Sequence, residues 1–281
     1  MTDNILEVDN LSFRYTGADE PTLRNVNLNI RKGEITLLIG PTGAGKSTLY
    51  LCLNGLIPNL IRGHFTGTVL LAELNTAEHS VPELAQKVGI VFQDPEVQLF
   101  SLTVEDELAF GPENLGLPRE TILQRMKDAA TTVHLTHLLE REPARLSGGQ
   151  QQTVAIGSVW SMLPDVLIMD EPTSNLDPEG GLHVLSLIQK LNRDYGKTIL
   201  IAEHKIDEVA HLADHVLVMS AGKIVMDGTP REVFSQLDEL HALGLVGPIA
   251  AELAYKLRQQ GVAWDGPLPL TMDEGVDLFS Q

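Results

Sequence analysis

Cysteine is nearly absent from the sequence, and so are long hydrophobic runs. The 281 residues include one cysteine, Cys52, so no disulfide can form within the chain. The longest apolar runs, such as Ile35 to Ile39, have the length of a strand, whereas a membrane-spanning helix needs about 20 apolar residues. The chain opens with MTDNILEVD, which has neither a basic start nor an apolar signal core, so we expect no secretion. These features predict a protein of a reducing cytoplasm that does not cross a membrane.

Positive charge is also scarce. Lys and Arg number 20 against 38 Asp and Glu, which gives a formal net charge of −18. Proteins that bind nucleic acid usually carry clustered Lys and Arg that displace counterions from the phosphates. We therefore expect no nucleic-acid partner. The acidic surface is typical of a protein kept soluble by its charge, and it also suits a basic partner surface.

Short apolar segments alternate with helical patterns along the first 235 residues. This alternation predicts an α/β fold with a mainly parallel, helix-covered sheet. The composition changes after about Gln236, and Pro248–Gln260 has the pattern of an amphipathic helix, followed by the loop-like GVAWDGPLPL. We expect 1–235 to form the main domain and 236–281 a small extension that packs on it or on another subunit. The predicted strands are Ile5–Tyr15, Leu23–Ile30, Glu34–Ile39, Val88–Phe92, Val166–Met169, Thr198–Ala202 and Val216–Met219, with helices at Lys46–Leu56 and Pro178–Asn192.

The stretch GPTGAGKST at 40–48 fits the P-loop pattern G-x-x-x-x-G-K-[ST]. Its glycines let the backbone curl so that N–H groups point at phosphates, and the following helix adds its positive N-terminal end. Lys46 can reach the β- and γ-phosphates, and Ser47 can ligate Mg²⁺. The candidate phosphate-binding residues are Gly40, Pro41, Thr42, Gly43, Ala44, Gly45, Lys46, Ser47 and Thr48.

Two carboxylates follow a buried strand in VLIMDEP at 166–172. Ligands of open α/β sheets bind at the carboxyl ends of such strands. Asp170 therefore fits the acidic residue that holds Mg²⁺ in a P-loop enzyme. Glu171 is then placed to act as general base on an attacking water.

A second phosphate-binding end is predicted at LSGGQ, 146–150. Ser147, Gly148, Gly149 and Gln150 have the pattern of a helix N-terminus with open N–H groups. Within one chain the P-loop already fills that role. The economical arrangement is a head-to-tail pair in which each LSGGQ completes the P-loop site of the other chain.

These three motifs, in this order, resemble the nucleotide-binding domain of ABC ATPases over about residues 5–235. The resemblance implies a P-loop NTPase fold of the ABC type, with an antiparallel β subdomain and a helical subdomain. It also implies that the chain binds ATP and Mg²⁺ and hydrolyses ATP. Lys46 and Glu171 would then act in catalysis, and Ser47 and Asp170 would ligate the metal.

Further positions match the same family. Tyr15 resembles the aromatic residue that stacks on adenine. Gln93 in VFQDP resembles the glutamine that senses Mg²⁺ and the attacking water, which implies that it joins Ser47 and Asp170 at the metal and also acts in catalysis. Asp177 in SNLD resembles the loop residue that crosses the dimer interface, and His204 in IAEH resembles the histidine that contacts the γ-phosphate. From the residues alone, these four are also compatible with a strand aromatic, a polar loop residue, a helix N-cap and a structural histidine.

Thr153 departs from the family pattern, because many relatives carry a basic residue at that position. The departure removes no group needed for hydrolysis.

The stretch VGIVFQDPEVQLFSLTVEDELAFGPENLGLP at 88–118 resembles the ATPase subunits of energy-coupling factor (ECF) importers, the cobalt-transporter ATPase type. The resemblance implies two ATPase subunits, identical or related, at the cytoplasmic face of the membrane. Their partners would be a transmembrane coupling protein and a separate membrane protein that captures a vitamin or a transition-metal cation. It also implies that the C-terminal extension takes part in dimerisation.

Three acidic residues after Gln93 could form a groove for a basic helix of the coupling protein: Glu105, Asp106 and Glu107. They are equally compatible with a solvated helix start whose charges suit the helix dipole. The ATPase of a conventional ABC importer or exporter and a non-transport ABC ATPase are the alternative functions. The cargo is recognised by another polypeptide and is not predicted by this sequence.

Overall fold

A computed structural model of the chain describes residues 3–262 and 266–279. The strands are β1 Asn4–Tyr15, β2 Leu23–Arg31, β3 Ile35–Ile39, β4 Gly63–Leu71, β5 Leu74–Asn75, β6 Val88–Val91, β7 Val166–Asp170, β8 Thr198–Ala202, β9 His215–Ser220 and β10 Lys223–Gly228. The helices are α1 Lys46–Leu53, α2 Leu56–Asn59, α3 Val81–Leu84, α4 Val104–Asn114, α5 Arg119–Thr132, α6 Gly148–Trp160, α7 Pro178–Arg193, α8 Ile206–Val209, α9 Pro230–Phe234, α10 Leu237–Ala242, α11 Ile249–Gln259 and α12 Met272–Phe279, and 3₁₀ turns lie at Pro95–Val97 and Pro143–Arg145.

The larger sheet has six strands in the order β10-β9-β3-β8-β7-β6. Its five strands from β9 to β6 are parallel, and β10 runs antiparallel at one edge. Every residue of β3 and β8 is buried, which explains why their sequences ITLLI and TILIA are almost continuously apolar. The predicted mainly parallel, helix-covered sheet is confirmed.

The second sheet is antiparallel and has the order β2-β1-β4-β5. It packs with α1 and one face of the larger sheet around Phe13, Leu49 and Leu217. Its strand β4 was not predicted from the sequence, because seven of the nine residues of GHFTGTVLL are at least partly exposed and apolar alternation is weak. This sheet is the antiparallel β subdomain that the family resemblance implies.

The helices α4, α5 and α6 form the helical subdomain and share a buried cluster with the other face of the larger sheet. Leu108, Met126 and Val154 join the same buried cluster as Leu37. The predicted helix Lys46–Leu56 is too long, because α1 ends at Leu53 and Gly55 follows in a left-handed conformation with φ 76°.

Residues of the C-terminal extension complete the main core. Leu240, Ala251 and Leu270 belong to the buried cluster of the larger sheet. The extension therefore packs on the main domain, one of the two arrangements expected from the sequence. Residues 263–265 of its predicted loop lie outside the described residues. Among the helices of 3–262 and 266–279, none has the length and apolar character that crossing a membrane requires.

Candidate functional site

The P-loop joins β3 to α1 and is shaped by its glycines. Gly43 and Gly45 have φ angles of 80° and 109°, which residues with a Cβ atom rarely adopt. Gly40 lies so close to β9 that a Cβ there would meet the Met219 carbonyl oxygen at 2.2 Å. Among the described residues, no side chain caps the start of α1. Its N–H groups are therefore available for an anion.

Lys46 lies at the base of this loop, where the residue is only 9% exposed. Its Nζ donates to the carbonyl oxygens of Gly40 and Pro41, at 2.7 and 3.4 Å. Burial lowers the pKa of Lys46, and the nearby Glu171 and Asp170 carboxylates oppose that shift. Burial is the larger effect on this pKa, and the carboxylates across the cleft offset part of it.

Ser47 and Asp170 bring two oxygen ligands together. Ser47 Oγ donates to Asp170 Oδ2 at 3.3 Å, which joins the start of α1 to the end of β7. Burial and then the Glu171 charge raise the pKa of Asp170, while the Ser47 hydrogen bond and Lys46 lower it. Mg²⁺ prefers oxygen ligands and is commonly held by one or two carboxylates together with substrate phosphates. A hydroxyl and a carboxylate beside a phosphate-binding loop fit that ion.

The side chains of Gln93, Glu171 and His204, from three different segments, contact one another with Glu171 in the middle. Its Oε1 lies 3.0 Å from His204 Nε2, and its Oε2 accepts a hydrogen bond of 2.8 Å from Gln93 Nε2. Gln93 follows β6, Glu171 follows β7 and His204 lies just beyond β8, so the carboxyl ends of these strands place them side by side. Glu171 itself has a left-handed backbone with φ 48°, an unusual conformation that is commonly found at functional sites.

These residues line one cleft of about 330 Å³, together with most of the P-loop. Thr22 also lines this cleft, although the sequence contains no motif that singles it out. Of the predicted nucleotide-binding residues near this cleft, Tyr15, Gly40 and Pro41 are not among those that line it. The Tyr15 hydroxyl instead lies 3.0 Å from Thr48 Oγ1, and its ring packs edge-on against Phe13. The adenine-stacking role of Tyr15 stays a prediction.

The LSGGQ motif caps a helix, as its pattern predicts. Ser147 is the N-cap of α6, and the Gln150 side chain accepts from the Ser147 backbone N–H in return. Asp177 caps α7 by accepting from Gly180 N at 2.8 Å. Thr153 is buried and donates to the Gly149 carbonyl oxygen at 2.7 Å within its own helix. The hydroxyl thus takes a partner inside α6.

Ser147, Gly148, Gly149, Gln150 and Asp177 line a second cavity of about 570 Å³. Within 3–262 and 266–279, no residue lines both this cavity and the P-loop cleft. One chain therefore carries two separate candidate phosphate-binding sites, one at the start of α1 and one at the start of α6. The fold does not bring these two sites together.

An apolar groove of about 540 Å³ lies between the larger sheet and the helical subdomain. Phe92, Phe100 and Phe110 line it, and all three rings are substantially exposed. The predicted acidic groove needs a correction at Glu107. Its buried carboxylate accepts from the backbone N–H groups of Phe100 and Ser101, at 3.1 and 2.8 Å, so it stabilises the loop.

Comparison with known proteins agrees with this geometry. The family model described as ABC transporter matches residues 23–174, more than half of the chain. A candidate ABC transporter ATP-binding protein of Pyrococcus abyssi is 47% identical over 92% of this chain and 92% of its own length. The energy-coupling factor transporter ATP-binding protein EcfA1 of Streptococcus mutans is 41% identical over 94% of this chain and 93% of its own length. Several other relatives are longer, and the chain spans 40–49% of their length.

A solved structure shows the same likeness. The structure of cbiO1 from Clostridium perfringens, described as part of the ABC transporter complex cbiONQ, has a TM-score of 0.76 and 34% sequence identity. It covers 93% of this chain and all of its own. The chain therefore belongs to the ABC transporter family as an ATP-binding subunit that binds ATP with Mg²⁺ and hydrolyses ATP in transport.

Proposed function

We propose that this ATPase powers the import of a vitamin or a transition-metal cation through an ECF-type ABC transporter. The observation that carries its hydrolytic role is the meeting of Gln93, Glu171 and His204 beside Lys46 and Asp170. The importer class is supported by the likeness to EcfA1 and to cbiO1, each of which matches at least 93% of this chain.

In the proposed hydrolysis, Glu171 is the general base for the attacking water. Its Oε2 is fixed by Gln93 and its Oε1 by His204, so the carboxylate is held in one orientation. A fixed orientation lowers the entropy that must be lost in the transition state. Lys46 and the N–H groups of the P-loop bind the phosphates. Bound Mg²⁺, held by Ser47 and Asp170 with the Gln93 side chain nearby, would neutralise phosphate charge.

We further propose that two such chains pair head to tail, as cassettes of this family form dimers. The proposal is supported by the separation of the LSGGQ cavity from the P-loop cleft within one chain. In the pair, Ser147 and the N-terminus of α6 close over the nucleotide of the partner chain. Asp177 then lies at the interface. The chain spans about half of the length of some relatives, which leaves room in each of them for a second cassette.

The membrane partner is proposed to bind the apolar groove, which places the chain at the cytoplasmic face of the membrane. Phe100 and Phe110 are 63% and 44% exposed there and pack edge-on against each other. Exposed apolar surface of this kind marks interaction sites. Glu105 and Asp106 are exposed at the start of α4 and add negative charge for a basic partner segment.

The extension 236–281 is proposed to serve as a dimerisation element. On α11, Ile249 and Leu253 are 58% and 42% exposed, and Val276 on α12 is 58% exposed. The Ile249 N–H also donates to Asp207 Oδ1 at 2.6 Å, which fixes the start of α11 to the main domain. An apolar face on a firmly attached helix suits a second subunit.

Affinity purification from detergent-solubilised native membranes, followed by mass spectrometry, tests the proposal. We expect a coupling protein and a separate small capture protein to be recovered with the chain. Phe110→Glu should lose both, whereas Val225→Glu should keep both. Val225 is similarly exposed, at 47%, but lies on β10 at the opposite edge of the larger sheet. Recovery of two large permeases with a soluble binding protein, or of ribosomes alone, would contradict the importer class.

A further inference from the structure

Glu203 is a buried carboxylate next to the proposed catalytic histidine. It is only 2% exposed, and within residues 3–262 and 266–279 the only other buried acidic residue is Glu107. Burial of a carboxylate is costly unless its oxygens are fully hydrogen-bonded. Glu107 has a local purpose, since it closes a loop six to seven residues away. Glu203, by contrast, also bonds to Thr173, which lies 30 residues away along the chain.

The carboxylate of Glu203 joins two segments that are 30 residues apart. Its Oε1 accepts from the backbone N–H of Thr173 at 2.9 Å and from the Thr173 hydroxyl at 2.6 Å. Its Oε2 accepts from the backbone N–H of His204 at 3.1 Å. All three donors are uncharged, and Thr173 is fully buried. Both oxygens of the carboxylate are therefore used.

These bonds continue the pairing of β7 and β8 beyond the end of the sheet. The last paired residues are Asp170 and Ala202, and the Glu171 N–H still donates to the Ala202 carbonyl oxygen at 2.9 Å. At Glu171 the backbone turns left-handed, so the regular ladder cannot continue. The Glu203 side chain then supplies the acceptor for Thr173. It stabilises the strained turn that carries Glu171.

We propose that Glu203 is a positioning residue for hydrolysis, whose buried carboxylate holds His204 and the backbone after Glu171 in one arrangement. The 3.0 Å contact between His204 and Glu171 depends on two loops leaving neighbouring strands at fixed angles. Glu203 bonds to both loops. This inference rests on the roles proposed above for Glu171 and His204.

The segment held by Glu203 also leads into the second cavity. Thr173 is followed within four residues by Asn175 and Asp177, both of which line the cavity that contains LSGGQ. In the proposed pair, that cavity belongs to the nucleotide of the partner chain. Glu203 therefore bonds both to the histidine of one site and to the segment that serves the other.

The test is Glu203→Gln in the full-length chain, measured by steady-state ATP hydrolysis. The glutamine side chain has only one oxygen that accepts hydrogen bonds. Its amide N–H₂ group would therefore face another donor, either the His204 N–H or the Thr173 donors. Loss of a buried hydrogen bond to a charged group predicts a fall in kcat of roughly 10- to 100-fold. The KM for ATP should stay within about twofold, because uniform binding is unaffected.

Glu208→Gln is the matched control. Glu208 Oε2 lies 3.4 Å from the same Thr173 hydroxyl and makes no hydrogen bond to His204 in the described part of the chain. Its kcat should remain close to that of the wild type. Thr173→Val removes the hydroxyl that bonds Glu203 while keeping a similar shape, and it should lower kcat in the same direction. It serves as the test if Glu203→Gln does not fold.

A double-mutant cycle separates positioning from general structural damage. On a His204→Ala background, Glu203→Gln should cause a several-fold smaller further loss than on the wild type. An unchanged kcat in Glu203→Gln, or an equal loss on both backgrounds, overturns the proposal. The single variant His204→Ala reports separately on the role of the histidine, so failure of that role and failure of the Glu203 proposal are distinguishable.

Discussion

Replacing Gly40 with alanine tests how closely the P-loop lies against β9. A Cβ at this position would sit 2.2 Å from the Met219 carbonyl oxygen, whereas carbon–oxygen contacts ordinarily measure about 3.3–3.6 Å. Strand β9 pairs with β10 on one side and β3 on the other, so Met219 cannot easily move. The P-loop must therefore shift by about 1 Å to make room.

Two effects follow from that shift. Overpacking of this kind costs about 1–3 kcal/mol, and at about 2–4 °C per kcal/mol for domains of comparable size the Tm falls by roughly 2–12 °C. A displacement of about 1 Å in groups that position a substrate can cost on the order of 100-fold in rate. Calorimetry of the nucleotide-free chain measures the first effect, and steady-state ATP hydrolysis measures the second.

Gly181→Ala is the control for the effect of the methyl group. Gly181 lies inside α7, where a Cβ would meet nothing closer than Glu208 Oε2 at 3.8 Å. Alanine in a helix interior stabilises by about 0.5–1 kcal/mol relative to glycine. We expect the Tm of Gly181→Ala to equal or exceed that of the wild type. Equal melting of Gly40→Ala and the wild type would refute the reasoning about Met219.

Three further predictions concern charge, capping and base stacking. Burial and Glu171 raise the pKa of Asp170, so its stability contribution is present at acid pH and is lost as pH rises through that raised value. Asp170→Asn should therefore raise the Tm of the nucleotide-free chain at pH 7 and abolish Mg²⁺-dependent hydrolysis. A lower Tm in a melting scan would contradict this. Asp177→Ala removes the cap on Gly180 N and should cost about 0.5–2 kcal/mol in urea unfolding; an unchanged midpoint would show that the cap contributes nothing. If the ring stacks on adenine, Tyr15→Ala should weaken ATP binding by about 1–3 kcal/mol, measured by titration calorimetry. Tyr15→Phe should leave the affinity unchanged.

The sequence predicted the parts of the fold that are buried on both faces. Thr198–Ala202 is a strand with the predicted bounds, and β3 begins at Ile35, one residue after the predicted start at Glu34. Both were found because a central parallel strand has no solvent face and so has an apolar sequence. Strand β4 could not be found this way, because its pairing with β1 stabilises mostly exposed residues. Strand β10 was missed for a related reason, since it lies at an edge and is half exposed.

The candidate site divides in the same way. The P-loop, LSGGQ and Asp170–Glu171 are each a short contiguous stretch of sequence. Their residue pattern alone therefore predicts phosphate and metal chemistry. Thr22 reaches the site only through tertiary contacts, and the role proposed for Glu203 depends on its tertiary contact with Thr173. Glu203 and Thr173 meet because β7 pairs with β8 in a register that sets Asp170 opposite Ala202. The register of this strand pair cannot be seen in the sequence, so the contact between residues 30 positions apart could not be predicted.

The most direct test of the central claim is Glu171→Gln, assayed for ATP turnover and for mass by light scattering with Mg²⁺ and ATP. Glutamine keeps the size of the side chain and a hydrogen-bonding end for Gln93 and His204, but it cannot take a proton from water. Loss of a general base predicts a fall in kcat of about 100- to 10,000-fold. The variant should then hold ATP in a stable dimer, because closure is no longer followed by hydrolysis. Turnover at the wild-type rate would contradict the role of Glu171, and a monomer that retains ATP would contradict the head-to-tail pair.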